Sequence, residues 1–186
     1  MNVPLFIVSG TSGSGKTSIV SALIALGLGE RVITCTTRAP RSNNGVLEID
    51  GKDYFFLSMD EFTRAKLAGE FAEYACVYGK FYGTRKRDIE KSDITMSALF
   101  AIVDVQGAET LMGLYPNATS VFIDVPKSDM LKRLTDRGDS QDAIARRLAE
   151  CDIECEKAVL FDCVITNRNC ALDDSILLLT NLVKGR

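Results

Sequence analysis

Val8 to Ser18 reads VSGTSGSGKTS, with three glycines and a single lysine directly behind the apolar run VPLFIV at residues 3–8. The apolar run has the character of a buried strand, and the residues from Lys16 onward have that of a helix. Between them Gly10, Gly15, Lys16 and Thr17 satisfy GxxxxGK[ST], the pattern in which consecutive backbone N–H groups wrap phosphate oxygens at a helix start. Glycine is needed because side chains would block close approach of the backbone. Lys16 would neutralise the terminal phosphates of a nucleoside triphosphate, and the Thr17 hydroxyl would ligate Mg²⁺.

Outward from this loop, strands alternate with helices. A helix is expected from Lys16 to Leu26, then the strand RVITCTT (31–37). The strand SALFAIVDV ends at Asp104, ATSVFIDV (118–125) precedes a helix opening at Ser128, and a longer helix spans Asp142 to Leu160. DCVIT (162–166) is a strand, and Leu172 to Val183 is a closing helix. Apolar strands separated by helices indicate a parallel sheet covered on both faces, an α/β fold. From about Thr37 to Asp88 the rhythm changes. DYFFLS, EFAEYACVYG and KFYGT have the alternation of short strands, Tyr78-Gly79 suits a hairpin turn, and Ser58 with Glu61 forms a capping box. This stretch reads as an inserted small lobe.

Composition limits the function classes. A chain of 186 residues, 46% apolar and 25% charged, is that of one ordinary globular domain. No apolar run approaches the roughly 20 residues that span a bilayer. The start MNVPLFIVSG shows neither a basic leader nor a cleavage site, so no secretory signal is read and a cytoplasmic location is expected. A net charge of −3 argues against a general nucleic-acid binder. Six cysteines without histidine or CxxC make a poor zinc set. Cys151 and Cys155, one helical turn apart, read as small core residues ahead of a dithiol.

The loop identifies a phosphoryl donor and leaves the acceptor open. Arg38 and Arg41 of TTRAPR, with the phenols of Tyr54 and Tyr82, form a set suited to a second phosphate. Glu73 falls on the face of its strand shared with Phe71, Ala75 and Val77, where a carboxylate is costly without donors. Guanine offers a ring N–H and an amino N–H side by side, and Thr84 would reach its carbonyl; adenine lacks that donor pair. The plainer alternatives are an edge-strand carboxylate facing water for Glu73 and a cap of the helix beginning RKRDIEK for Thr84. Asp104, at a strand end, suits the shell of a Mg²⁺ ion, or alternatively caps the next helix.

SGTSGSGKTS, TTRAPR, DYFFLS, EFAEYACVYGKFYGT, VDVQGA, RLTDRG and VITN follow the order and approximate spacing of the guanylate kinases, so essentially the whole chain resembles that family. The resemblance implies a P-loop core (1–36, 89–126, 148–186), a monophosphate-binding lobe (37–88) and a mobile lid (127–147). It also implies transfer of the γ-phosphoryl group of ATP to GMP, with dGMP as a further acceptor, and Mg²⁺. By matching positions, ATP falls to Gly10, Thr11, Ser12, Gly13, Ser14, Gly15, Lys16, Thr17, Arg137 and Asn167, the last beside the adenine. GMP falls to Thr34, Arg38, Arg41, Tyr54, Glu73, Tyr82, Thr84 and Asp104. Lys16, Arg38, Arg133 and Arg147 would be catalytic, and Thr17 and Asp104 would serve the metal, Asp104 through water.

The chain departs from the family pattern at four places, one being a lid one residue shorter after Arg137. Ile102 stands where a second acid is common, RSNNGVLEIDG is a few residues longer than usual, and Arg168-Asn169 replaces acidic residues after Asn167. Arg85-Lys86-Arg87 reads as a solvated face or as a phosphate aid. Two rivals remain at this point: a P-loop kinase for another phosphorylated acceptor, and a non-catalytic guanylate-kinase-like module that binds proteins. Glu73 with Thr84 speaks against the first, and the intact Lys16 and Thr17 against the second.

Overall fold

All six residues of Leu5–Gly10 are buried, the pattern of a strand covered on both faces. In the computed structural model, which describes residues 3–43, 45–90 and 97–185, this segment is β1. It is followed by α1 (Lys16–Ala25), β2 (Glu30–Arg31), β3 (Cys35–Thr36), β4 (Ser42–Asn43), β5 (Val46–Leu47) and β6 (Phe55–Phe56). Next come α2 (Met59–Leu67), β7 (Phe71–Val77), β8 (Lys80–Arg85) and α3 (Lys86–Ile89). The remainder is β9 (Leu99–Ile102), α4 (Val105–Leu114), β10 (Thr119–Asp124), α5 (Lys127–Asp136), α6 (Gln141–Glu156), a 3-10 turn (Lys157–Leu160), β11 (Cys163–Thr166) and α7 (Leu172–Lys184).

Five strands form a parallel sheet in the order β11-β10-β1-β9-β2, so the fold is α/β, as the sequence indicates. Side chains of β1 alternate between its faces. Leu5 and Ile7 pack with Val105, Ala108 and Leu111 of α4, whereas Phe6 and Val8 pack with Ile19, Val20 and Leu23 of α1 and Leu179 of α7. Each such burial is worth about 1.5–3 kcal/mol. The two layers hold the carboxyl end of β1 rigidly between β10 and β9, and the glycine-rich loop leaves from there.

The remaining strands build a second sheet, β6-β3-β8-β7, and a short β4-β5 ribbon. Tyr78 and Gly79, with φ of 51° and 71°, make the two-residue turn that joins β7 to β8. The capping box forms: the Glu61 amide donates to Ser58 Oγ, and the Ser58 amide donates to Glu61 Oε2. Phe62 stacks on Phe71 at 4.6 Å above Cys35 to give this sheet its own apolar centre.

Several elements differ from the sequence reading. RVITCTT is not one strand: the Val32 amide donates to Phe100 O in the parallel sheet, but Thr34 O accepts from Phe55 N in the second. The chain changes sheets between them, leaving two short strands. DYFFLS contributes only Phe55–Phe56. The helix read from Asp142 to Leu160 tightens into the 3-10 turn after Glu156. The helix at RKRDIEK is Lys86–Ile89, and Lys91 lies outside the described residues. Arg85 is no solvated cation, since its Nε donates to Asp88 Oδ2 at 2.9 Å and its guanidinium lies 4.0 Å from the centre of the Phe55 ring.

α5 and α6 pair through Met130, Leu134, Ile144 and Cys151. Cys151 is therefore a core residue, although its Sγ lies 3.8 Å from that of Cys155. Among the described residues no helix is long and apolar enough to cross a membrane.

Candidate functional site

Two glycines of the loop are required by geometry. A Cβ on Gly10, at φ +134°, would lie 2.0 Å from Ile123 O on the neighbouring strand. One on Gly15, at φ +90°, would lie 2.5 Å from Asn167 Nδ2. Gly15 precedes α1, which has neither a side-chain cap nor an acid in its first turn. Its free N–H groups and positive dipole end are thus open to an anion. Lys16 Nζ turns back onto Gly10 O and Thr11 O at 2.7 and 2.8 Å. Burial is the main cause lowering its pKa to about 8, against the pull of Glu154 and Asp104.

Asn167 and Arg133 brace this loop from behind. The buried Asn167 amide donates to Ser14 O at 2.7 Å. Arg133 spends its fork on Gly13 O, Asn167 O and Asn169 Oδ1 at 3.1, 2.8 and 3.0 Å. Both side chains reach the loop by way of its carbonyls.

Arg38 is 7% exposed, and its guanidinium is gripped by the Glu48 carboxylate at 2.8 and 3.0 Å. Its Nε donates to Tyr82 OH at 3.2 Å, and its guanidinium lies 5.1 Å from the centre of the Tyr54 ring. Arg41 sends its amide to the same Glu48. Burial and then the Arg38 cation make Arg41 harder to protonate, with Arg147 and Arg137 adding to the effect. These four residues of the sequence reading, Arg38, Arg41, Tyr54 and Tyr82, do come together.

Glu73 is only 4% exposed, so it does not face water. Thr84, fully buried, donates its hydroxyl to Glu73 Oε1 at 2.5 Å and caps no helix. Burial raises the Glu73 carboxyl to about 7; Thr84 pulls the other way and the Asp104 carboxylate adds to the rise. Asp104 does cap α4, accepting from the Gly107 amide at 2.7 Å, while lining the same cavity as Lys16.

Arg147 projects from α6 toward the loop. Its Nη1 donates to Ser12 Oγ, and its Nε stands 3.3 Å from Asp139 Oδ2. Arg137 is paired with the same carboxylate.

Two cavities meet here. The larger, about 1160 Å³, is lined by Lys16, Arg31, Arg38, Arg41, Arg133, Arg137, Arg147 and Arg168 against the acids Glu48, Asp53 and Asp139. Eight cations facing three carboxylates, in a chain of net charge −3, mark a polyanion site. The smaller, about 200 Å³, contains Thr34, Glu73, Tyr82 and Asp104. Ser12, Lys16, Tyr54 and Arg147 line both.

A sequence model of the family described as guanylate kinase matches residues 3–185. The chain belongs to the guanylate kinase family. A guanylate kinase of Thiobacillus denitrificans is 43% identical over 166 residues, 88% of this chain and 78% of that one. One of Symbiobacterium thermophilum is 40% identical over 172 residues, 90% and 79% of the two chains. The crystal structure of guanylate kinase from Anaplasma phagocytophilum superposes with a TM-score of 0.73 at 25% identity, covering 98% of this chain and 85% of that one. Membership in the guanylate kinase family makes the protein an ATP:GMP phosphotransferase.

Among guanylate kinase positions, sequence reasoning passed over Glu48, Asp139 and Glu154. Glu48 and Asp139 each grip an arginine fork, and Glu154 exerts the largest carboxylate pull on Lys16. The available signal was weak: an acid near paired arginines looks like any surface acid until the chain folds. A divalent metal suits the donor set in part. Thr17, with a hydroxyl, lines the larger cavity, and Asp104, with a carboxylate, lines the smaller. Among the described residues no group of three or more acids, cysteines or histidines would hold an ion unaided. An ion here therefore needs nucleotide phosphates as further ligands.

Proposed function

We propose that ATP lies in the larger cavity and GMP in the smaller, the GMP phosphate reaching Arg38 and Arg41 on the wall of the larger, so that the two nucleotides meet at Lys16 and Arg147. The observation carrying this reading is that the cavities share those two cations. In it, the loop Gly10–Thr17 cradles the ATP phosphates, with Arg137 beside them and Asn167 bracing the adenine end. Arg38, Arg41, Tyr54 and Tyr82 take the GMP phosphate, and Glu73, Thr84 and Thr34 the guanine. Residues 37–88 act as the acceptor lobe and 127–147 as the lid, each hinging on a core of residues 1–36, 89–126 and 148–186. Six unpaired cysteines fit a cytoplasmic setting.

The chemistry is a matter of charge. A phosphate monoester has a second pKa near about 6, so the acceptor oxygen is anionic at neutrality and needs no general base. The chain has no histidine. Repulsion between two polyanions is what must be overcome. Lys16 and Arg147 face the junction, and Arg38 and Arg133 stand behind it, where each can exchange a present partner for a phosphoryl oxygen. Mg²⁺, held by Thr17, phosphate oxygens and water near Asp104, would supply further neutralisation of the transferring group. Binding phosphate beside Lys16 also raises its proton affinity, which burial has lowered.

A coupled assay of ADP release, offering GMP, AMP, UMP and CMP with ATP and Mg²⁺, tests the assignment. Wild type should favour GMP by about 100-fold or more, and Glu73→Gln should lose most of that preference. Equal turnover of AMP and GMP by wild type would remove Glu73 from base recognition.

A further inference from the structure

Tyr78 has no part in the roles assigned above. It holds the first position of the β7–β8 turn at φ 51°, a left-handed conformation that Asn, Asp and Gly adopt at lower cost than an aromatic residue. Its ring lies 4.9 Å from the Arg147 guanidinium carbon, within cation–π range. The Glu150 carboxylate, three residues beyond Arg147 on α6, also acts on its phenol. Burial, and then that carboxylate, pushes the phenol up, so the O–H remains a donor. The other edge of the same guanidinium reaches Ser12 of the phosphate loop. The hairpin that carries Glu73 on β7 and Thr84 on β8 therefore touches, at its tip, the arginine that lines both cavities.

We propose that Tyr78 is a positioning residue that holds the Arg147 guanidinium against the phosphate loop when the β7–β8 hairpin closes over α6. The inference rests on the reading of Arg147 as a cation at the transfer point. A long arginine loses rotamer freedom on ordering. An aromatic face on one side and Ser12 and Asp139 on the other fix it before the reaction, so no reorganisation is needed as charge develops. The contact also couples the two substrates: the cation is in place when the segment that recognises guanine is in place.

Tyr78→Asn, Tyr78→Phe, Arg147→Ala and the Tyr78→Asn/Arg147→Ala pair decide the matter. Asn suits the turn, so its melting temperature should equal or exceed that of wild type while kcat falls about fivefold. KM for ATP should stay within about twofold, whereas KM for GMP is free to change because Tyr78 also lines the smaller cavity. Tyr78→Phe, which keeps the ring, should retain at least about half of kcat. On the Arg147→Ala background, Tyr78→Asn should cost nothing further. Wild-type kcat in Tyr78→Asn, an effect confined to KM, or a full further loss in the pair would overturn the proposal while leaving Arg147 as assigned. Full activity of Arg147→Ala would instead sink the reading of Arg147, and this inference with it.

Discussion

Replacing Glu73 by Gln should stabilise the protein at alkaline pH while damaging its activity. The carboxyl is buried and raised from 4.5 to about 7, so the folded state holds this proton more tightly than the unfolded chain. Wild-type stability on this account is whole below about pH 4.5 and declines as pH rises to about 7, above which the loss is complete. At about 1.36 kcal/mol per tenfold change in proton affinity, the loss is roughly 3 kcal/mol. Glutamine keeps an acceptor for the Thr84 hydroxyl and carries no charge, so it escapes this penalty. Urea unfolding of both proteins at about pH 5 and about pH 8 should give a difference in stability between them that grows by roughly 2–3 kcal/mol at the higher pH. Activity should move oppositely, with kcat/KM for GMP falling on the order of 100-fold, because a charged acceptor of two guanine donors is lost. Lowering pH through about 7 should weaken GMP binding more in wild type than in Glu73→Gln, which keeps only the dependence set by the GMP phosphate, whose second pKa is about 6. A stability difference that is the same at both pH values would refute the reasoning, since a carboxylate of ordinary proton affinity cannot produce the trend.

Lys16→Ala should abolish phosphoryl transfer with an unchanged circular dichroism spectrum; an active variant would remove the lysine from the donor site. Lys16, with a pKa of about 8, is mostly neutral in the free protein at about pH 9, so an ATP analogue should bind with uptake of a fraction of a proton. Calorimetry in buffers of different ionisation enthalpy reads that uptake, and its presence in Lys16→Met would contradict the assignment. Gly10→Ala places a Cβ 2.0 Å from a backbone oxygen, whereas Gly27, also at positive φ, has nothing within 4 Å. The first change should cost more than about 3 kcal/mol and the second about 1, measured by urea unfolding. Equal costs would show that the loop has room at Gly10.

The parallel sheet and the phosphate loop were legible because local signals carry them. Leu5 to Val8 are apolar without alternation, and the spacing of Gly10, Gly15, Lys16 and Thr17 is self-contained. The split of RVITCTT was not legible, because Val32 and Thr34 take partners from different sheets, and those partners are fixed by residues far along the chain. Glu73 shows the same limit. Alternation put it on an apolar face, but only the packing of β7 under α4, with Gly107 small enough to admit Glu73 Oε2, buries it. The grip of Glu48 on Arg38 spans ten residues of a loop with no periodic pattern, so nothing local announced it. Tyr78 and Arg147 are 69 positions apart and meet only through tertiary structure.

A crystal of the protein with GMP and a non-hydrolysable ATP analogue tests the central claim most directly. The account predicts two occupied cavities, guanine on Glu73 and Thr84, and the GMP phosphate facing the γ-phosphate with Lys16 and Arg147 between them. Nucleotides bound far apart, or a single site that both ligands compete for, would contradict it.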